Sequence, residues 1–336
     1  MIRTFFIPLL FNCSFLTLTA QNFKDPSDYL SFIKSQHQTV AAEVISFAEE
    51  LENGTNVRTA EGKRRTLVSK WKTLVPQLRK QPDYKSNHLL VDSLVRYVER
   101  TKDLFENEYV QVIRLQDSSV RAFSYERKYL NAKQAVLLQL VENEAWLLAQ
   151  FQHFGSDYVL AVPKKYEEEY GKLSAIQKVS RHHNVYKAVY AKCAGQEALL
   201  AKAIEYRKRS DMEQHSVVLM KYVKESCKVL DTVKAAYEDR NIVQATKDLL
   251  DFYKVECEYK IPMLVSFMSR GGEDQRKGKT DIGNNININP HVNVEPHADI
   301  ATYANTKGDL DEQRPVLLSN WNKASQNFLR KYLPAL

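Results

Sequence analysis

From Asn285 to Ile300 polar residues occupy the odd positions, and apolar residues or proline the even ones. That is the period of a strand, and it would set His291, Glu295, His297 and Asp299 along one side. Imidazole and carboxylate groups ligate divalent metals, so these four residues are the candidate metal site. Successive same-side residues of a strand lie about 7 Å apart, too wide for His291 and Glu295 alone to hold one ion. A partner strand or turn would have to gather the set. Without a metal, the segment is expected to be a flexible loop, or an extended arm laid over the fold or added to a partner's sheet edge. Its prolines limit continuous pairing.

Sulfur chemistry is the second possibility. Beyond Cys13 the chain has Cys193, Cys227 and Cys257, an odd number for an oxidising compartment. Cys193 precedes the first turn of the chain's second half by about 16 residues and Cys227 follows it by about 15, which sets them level on adjacent antiparallel helices. They are the candidate disulfide. Cys227 and Cys257 differ in height by roughly 10 Å, beyond the reach of a bridge. The competing expectation is that all three are small apolar core residues, as Val75 and Phe105 are at the corresponding places in the first half.

Other chemistries lack their residues. The residues three places before the eight histidines are Lys34, Lys85, Gln150, Val179, Ser180, Met212, Ile288 and Val294. None is acidic, so the Glu-x-x-His pairs of di-iron bundles are missing. No Cys-x-x-Cys-His, phosphate-binding glycine loop, Gly-x-Ser-x-Gly elbow or His-Glu-x-x-His occurs. His182 and His183 are neighbours at a helix junction and would face different directions. Glu167-Glu168-Glu169 reads as a solvated helix face, and the aromatic residues fall mostly on apolar stripes. No cofactor is expected.

The elements that must position these residues are helical. Asp25 caps a first helix with Pro26 at its first position, and Tyr29, Ile33, Val40, Val44, Phe47 and Leu51 form its amphipathic stripe. Further stripes predict helices over about 59–80, 87–115 and 123–154, an up-down bundle. The pattern then repeats. Leu67, Trp71, Val75 and Leu78 fall on Leu219, Val223, Cys227 and Leu230, and Leu90, Val98 and Val112 fall on Ile242, Leu250 and Leu264, all at one offset. The expected fold is all-α, with two tandem four-helix-bundle-like units related by internal duplication. The first unit spans 22–155, and residues 156–182 are a linker plus an extra connecting helix. The second unit spans 183–336, with a long irregular or extended insertion at 269–313 and a last helix from Pro315 to Tyr332. Pro262 is expected to bend the helix before the insertion.

Arg3, the mostly apolar run from Phe5 to Leu18 and Thr19-Ala20 read as a secretory signal peptide over residues 1–20. A retained anchor and lipidation at Cys13 are the alternatives; Asn12 interrupts the run, and Phe11-Asn12 is a poor lipidation context. No later stretch approaches the roughly 18 apolar residues of a membrane span. The net charge of +7 is dispersed, and Lys63-Arg64-Arg65 and Arg207-Lys208-Arg209 read as solvated helix ends, so no nucleic-acid partner is expected.

The last helix ends Gln326-Asn327-Phe328-Leu329-Arg330-Lys331-Tyr332. With Leu230, Tyr237, Leu249-Leu250-Asp251-Phe252-Tyr253 and Glu256 before it, residues 185–336, and more weakly the first unit, resemble an uncharacterised family of bacterial helical surface proteins and lipoproteins. The resemblance implies an exported all-helical protein at the cell surface and supplies no activity. The chain departs from that pattern in its long insertion and in lacking a convincing lipid-acceptor cysteine. The function expected is that of a non-enzymatic interaction or structural component of the envelope or surface, with an unknown protein or envelope partner. The alternative is a periplasmic module that binds or senses a ligand or metal.

Overall fold

The computed structural model describes residues 23–119, 123–233, 237, 239–269 and 296–334. Among these the chain is all-α. Helix α1 (Pro26–Glu52) starts where Asp25 accepts a 2.7 Å hydrogen bond from the Ser27 amide, and α2 (Val57–Leu78) where Asn56 accepts one of 3.0 Å from Thr59. These side chains satisfy amides that the first helical turn leaves open. Helix α3 (Leu89–Asp103) continues through a π turn at Leu104–Glu108 into Tyr109–Ser119. Helix α4 is Phe123–Asp157, α5 Glu168–Glu205 and α6 Arg209–Thr232. Helix α7 (Arg240–Val255) runs through a second π turn, Glu256–Lys260, and on to residue 269. The last helix, α8, is Pro296–Tyr332.

The apolar stripes close over two cores. The first gathers Tyr29, Val44, Trp71, Val98, Leu137 and their neighbours from α1–α4, together with Leu173 and Ile176 from the start of α5. Its densest part is aromatic. The Phe105 ring lies 4.9 Å from Phe47, 4.8 Å from Trp71 and 4.7 Å from Tyr109, within the range where aromatic pairs add to area burial. The second core gathers Tyr186, Cys193 and Leu200 of α5 with Leu219, Leu250, Leu264 and Phe328 of α6–α8. Here Trp321 stacks on Tyr190 at 3.8 Å and donates its indole N–H to Thr246 Oγ1 at 3.0 Å.

The offset that carries Leu67 to Leu219 also carries Val57, the start of α2, to Arg209, the start of α6. It carries the π turn Leu104–Glu108 to Glu256–Lys260. Pro262 lies two residues beyond the second turn, yet Val110 holds the matching place after the first, so proline does not account for the π winding.

Two boundaries differ from the sequence expectation. Residues 156–182 include the start of α5, which runs unbroken for 38 residues into the second core. The expected connecting helix and the first helix of the second unit are thus one element. The last helix begins at Pro296 and not at Pro315, which lies inside it. Residues 296–313 are therefore helical, and the stretch before the last helix is shorter than expected. Pro315 looks like a start because proline suits a first helical turn. It is exposed here, so the carbonyl it leaves without an amide partner faces the solvent side. The apolar stripe passes beneath it through Tyr303, Leu310, Leu317, Trp321 and Phe328. The expected signal peptide lies outside the described residues; among those described, no helix is long and apolar enough to cross a membrane.

Two glycines separate helix propensity from packing. A Cβ at Gly195 in α5 meets nothing within 4 Å, whereas one at Gly155 in α4 would sit 2.5 Å from Val162 Cγ2 and 3.1 Å from the Leu160 carbonyl. Gly195→Ala is expected to raise the unfolding free energy by about 0.5–1 kcal/mol, and Gly155→Ala to lower it. Urea midpoints of the two variants test both signs.

Candidate functional site

The sequence-derived sites fare unequally. His291 and Glu295 lie outside the described residues. His297 and Asp299 fall in the first turns of α8, so the strand pattern does not extend over them. Among the described residues no group of His, Cys, Asp and Glu is arranged to hold a metal ion.

The Cys193–Cys227 bridge is not formed; Cys193, Cys227 and Cys257 are free. Level with Cys193 on α6 is Ser226, whose Oγ lies 3.5 Å from the Cys193 sulfur. One residue further along a helix is a rotation of about 100°, which carries Cys227 to the exposed face. Cys227 is therefore not a core residue either. Burial pushes the Cys193 thiol up to about 11 and the Cys257 thiol up to about 12.

Charged residues inside the first core supply geometry that the stripes concealed. Lys34 Nζ donates to Glu169 Oε2 at 2.6 Å and to the Tyr166 carbonyl at 3.0 Å. It lies 3.2 Å from His37 Nδ1, and His37 Nε2 lies 2.7 Å from Glu144 Oε1. A charged lysine has only donors to offer, so toward Lys34 the Nδ1 atom takes the acceptor role. Burial, then the Glu144 carboxylate, holds the Tyr97 hydroxyl well above its ordinary range. Glu169 was expected on a solvated face with Glu167 and Glu168; those two are exposed, but Glu169 is buried. A second cluster lies where α1, α4 and α5 meet. Glu52 accepts from Lys133 Nζ at 2.7 Å and from Ser180 Oγ at 2.8 Å. Next to it, burial drives His183 down to about 3, and its Nε2 lies 2.7 Å from Ser325 Oγ.

Arg64, expected at a solvated helix end, is also buried. Its Nη1 donates to the Phe105 carbonyl at 2.8 Å, within the π turn, where the widened winding alters the usual backbone pairing. Glu61 steadies the guanidinium through hydrogen bonds of 2.7 and 2.8 Å.

The second core holds a different cluster. Arg314 of α8 sits between Glu197 of α5 and Glu256 of the second π turn, with Glu256 Oε1 3.0 Å from Nη2. Both carboxylates are buried. At the corresponding places the first core has Ile45 and Leu104. One guanidinium cannot neutralise two carboxylates. Burial, then Glu197, raises the Glu256 carboxyl to about 8 against the opposing effect of Arg314.

Outside the cores, two grooves occupy matching positions. The α2–α3 groove, about 600 Å³, is lined by Arg64, Arg65, Lys72 and Glu106. The α6–α7 groove, about 520 Å³, is lined by Val217, Met220, Lys221, Lys224, Lys228 and Glu258. In the first, Lys72 lies 2.5 Å from Glu106, and Arg64 and Arg65 both engage Glu61. In the second, Lys224 and Glu258 stand where Lys72 and Glu106 stand in the first. Among the described residues, none of Lys221, Lys224 and Lys228 makes an ion pair.

Two measurements bear on these sites. Iodoacetamide should alkylate Cys227 in the native chain and Cys193 only after denaturation; a Cys193–Cys227 cross-linked peptide from unreduced protein would contradict this arrangement. Glu256 is raised from its unfolded value of 4.5 to about 8. Its contribution to stability is full below pH 4.5 and is lost as pH rises through about 8. Glu256→Gln should therefore match the parent at pH 5 and exceed it at pH 9 in thermal unfolding, and an identical pH profile would refute the assignment.

Comparison with protein-family models, with curated proteins and with solved structures found no match. The resemblance of residues 185–336 to a helical surface-protein family therefore rests on the residues that suggested it.

Proposed function

We propose that this chain is a non-enzymatic interaction protein, built by tandem duplication of one helical unit and exported to the cell envelope or surface. The observation that carries the reading is a row of exposed apolar side chains on α7. Val255, Tyr259 and Met263 follow one another at four-residue spacing and are 45%, 63% and 47% exposed. Large apolar side chains left exposed in a row along one helix are a mark of partner binding. Strongly displaced ionisable groups such as Tyr97, His183, Tyr253 and Glu256 are buried within the packed cores. The duplication is supported by the shared offset of the helix starts, the π turns and the paired grooves. Export is supported by the composition of residues 1–20.

A photo-crosslinking residue placed at Tyr259 of the full chain, in the cell that makes it, should yield an adduct of defined mass. The same residue at Gln152, on the exposed face of α4, should not. Equal labelling at the two sites would defeat the reading. Amino-terminal sequencing of the same material should begin at Gln21 if the export part holds.

A further inference from the structure

We infer that the α6–α7 groove of the second unit is the docking site for an acidic helical segment of a partner protein; the inference rests on the interaction reading above. Lys221, Lys224 and Lys228 are exposed and lie at helical spacings of three and four residues along α6, so their ammonium groups share one wall of the groove. Like charges so placed repel one another. The first unit relieves the same situation internally, closing Lys72 on Glu106 and Arg64 and Arg65 on Glu61. The second unit leaves it open. Its equivalent of Glu61 is Glu213, which pairs with Arg209 at 3.1 Å. Glu225, on the same wall, is committed to Lys192. Glu225 also feels Lys221 and Lys228, so Lys192, Lys221, Lys224 and Lys228 together face Glu225 and Glu258, a local positive excess that an external anion can relieve.

The shape of the groove narrows the class of anion. The lining runs from Ser216 to Lys228, about 18 Å at 1.5 Å per residue, or roughly three turns of helix. Its floor includes Met220 and Cys257, and Val217 stands 70% exposed at one end. A helix laid in this slot would bury an apolar stripe on that floor while carboxylates one turn apart reach the lysines. A flat lipid surface would meet the crests of α6 and α7 and leave the floor unfilled. Charge complementarity of this kind governs encounter rate and orientation.

The probe is a fluorescein-labelled three-turn peptide with Glu and Leu on adjacent helical faces, titrated with the full chain and read by anisotropy. Lys221→Glu, Lys224→Glu and Lys228→Glu combined should weaken binding by about tenfold or more. The same charge change at exposed Lys80, Lys128 and Lys323 should leave it within about twofold. A peptide of identical composition with its carboxylates scattered around the helix should bind the parent chain no better than the lysine variant binds the ordered peptide. Equal loss in both triple variants, or equal binding of the scattered peptide, reduces the effect to net charge and overturns the inference. Capture of phosphatidylglycerol vesicles through these lysines, without peptide binding, overturns it in favour of a lipid. A Tyr259 adduct that persists in the lysine variant sinks the groove and leaves the interaction reading intact, whereas loss of the Tyr259 adduct from the parent chain sinks that reading itself.

Discussion

A charge brought into hydrocarbon has to bring its partner with it, and that requirement fixes how the helices sit against one another. Lys34 ties α1 to α5 through Glu169, His37 ties α1 to α4 through Glu144, and Lys133 ties α4 back to α1 through Glu52. Arg314 ties α8 to both α5 and α7. Apolar stripes alone tolerate sliding by a turn, since leucine and valine pack almost equally well one step along. A buried ammonium does not. Moving one helix past its neighbour would strand it, and removing one partner of such a pair typically costs about 3–5 kcal/mol. The pairs therefore specify alignment more than they add stability.

The two cores meet this requirement differently. Where the first has Ile45 and Leu104, the second has Glu197 and Glu256 with Arg314 between them. At the offset-related positions the first core packs hydrocarbon, so burial there does not by itself call for an ionic cluster. At the π turns the contrast reverses. Arg64 holds the Phe105 carbonyl, but its counterpart Ser216 turns its hydroxyl back to the Glu213 carbonyl. The second unit thus carries fewer cations bound to its own backbone and more facing its groove. The proposed role in binding is assigned to that unit for the same reason.

Much of the helical content was legible in the sequence. Asp25-Pro26 announces α1, and the stripes through Trp71, Val98 and Leu137 announce the next three helices because burial and periodicity coincide there. The misses share a physical origin. Lys34, His37, Glu144 and Glu169 lie on buried faces, and a charge in a stripe reads as its solvated edge until a partner helix is placed against it. Glu169 for that reason reads as solvated alongside its two exposed neighbours. Cys227 was misplaced by the difference between height, which counting residues fixes well, and rotation, which a single residue changes by about 100°. Pro315 marked a false start because its ring suits a first turn, and only the continuous stripe from Tyr303 to Phe328 reveals the longer helix. The α6–α7 groove left a faint trace in Lys221, Lys224 and Lys228, but lysines at helical spacing look alike on any outer face. Only the matching pairs of the first unit make their openness informative.

Helix α5 is a wall of both cores. Its buried residues advance by three or four positions from Leu173 and Ile176 through Ser180 and His183 to Cys193, Glu197 and Leu200, with no step at which the packing stops. Bundles joined by a slack tether melt one at a time, each with its own transition. A common wall removes that freedom, because loosening the first core frays the turns on which the second is assembled, and the reverse holds as well. The shared helix therefore links the stability of the two cores, so that loss of either weakens the other.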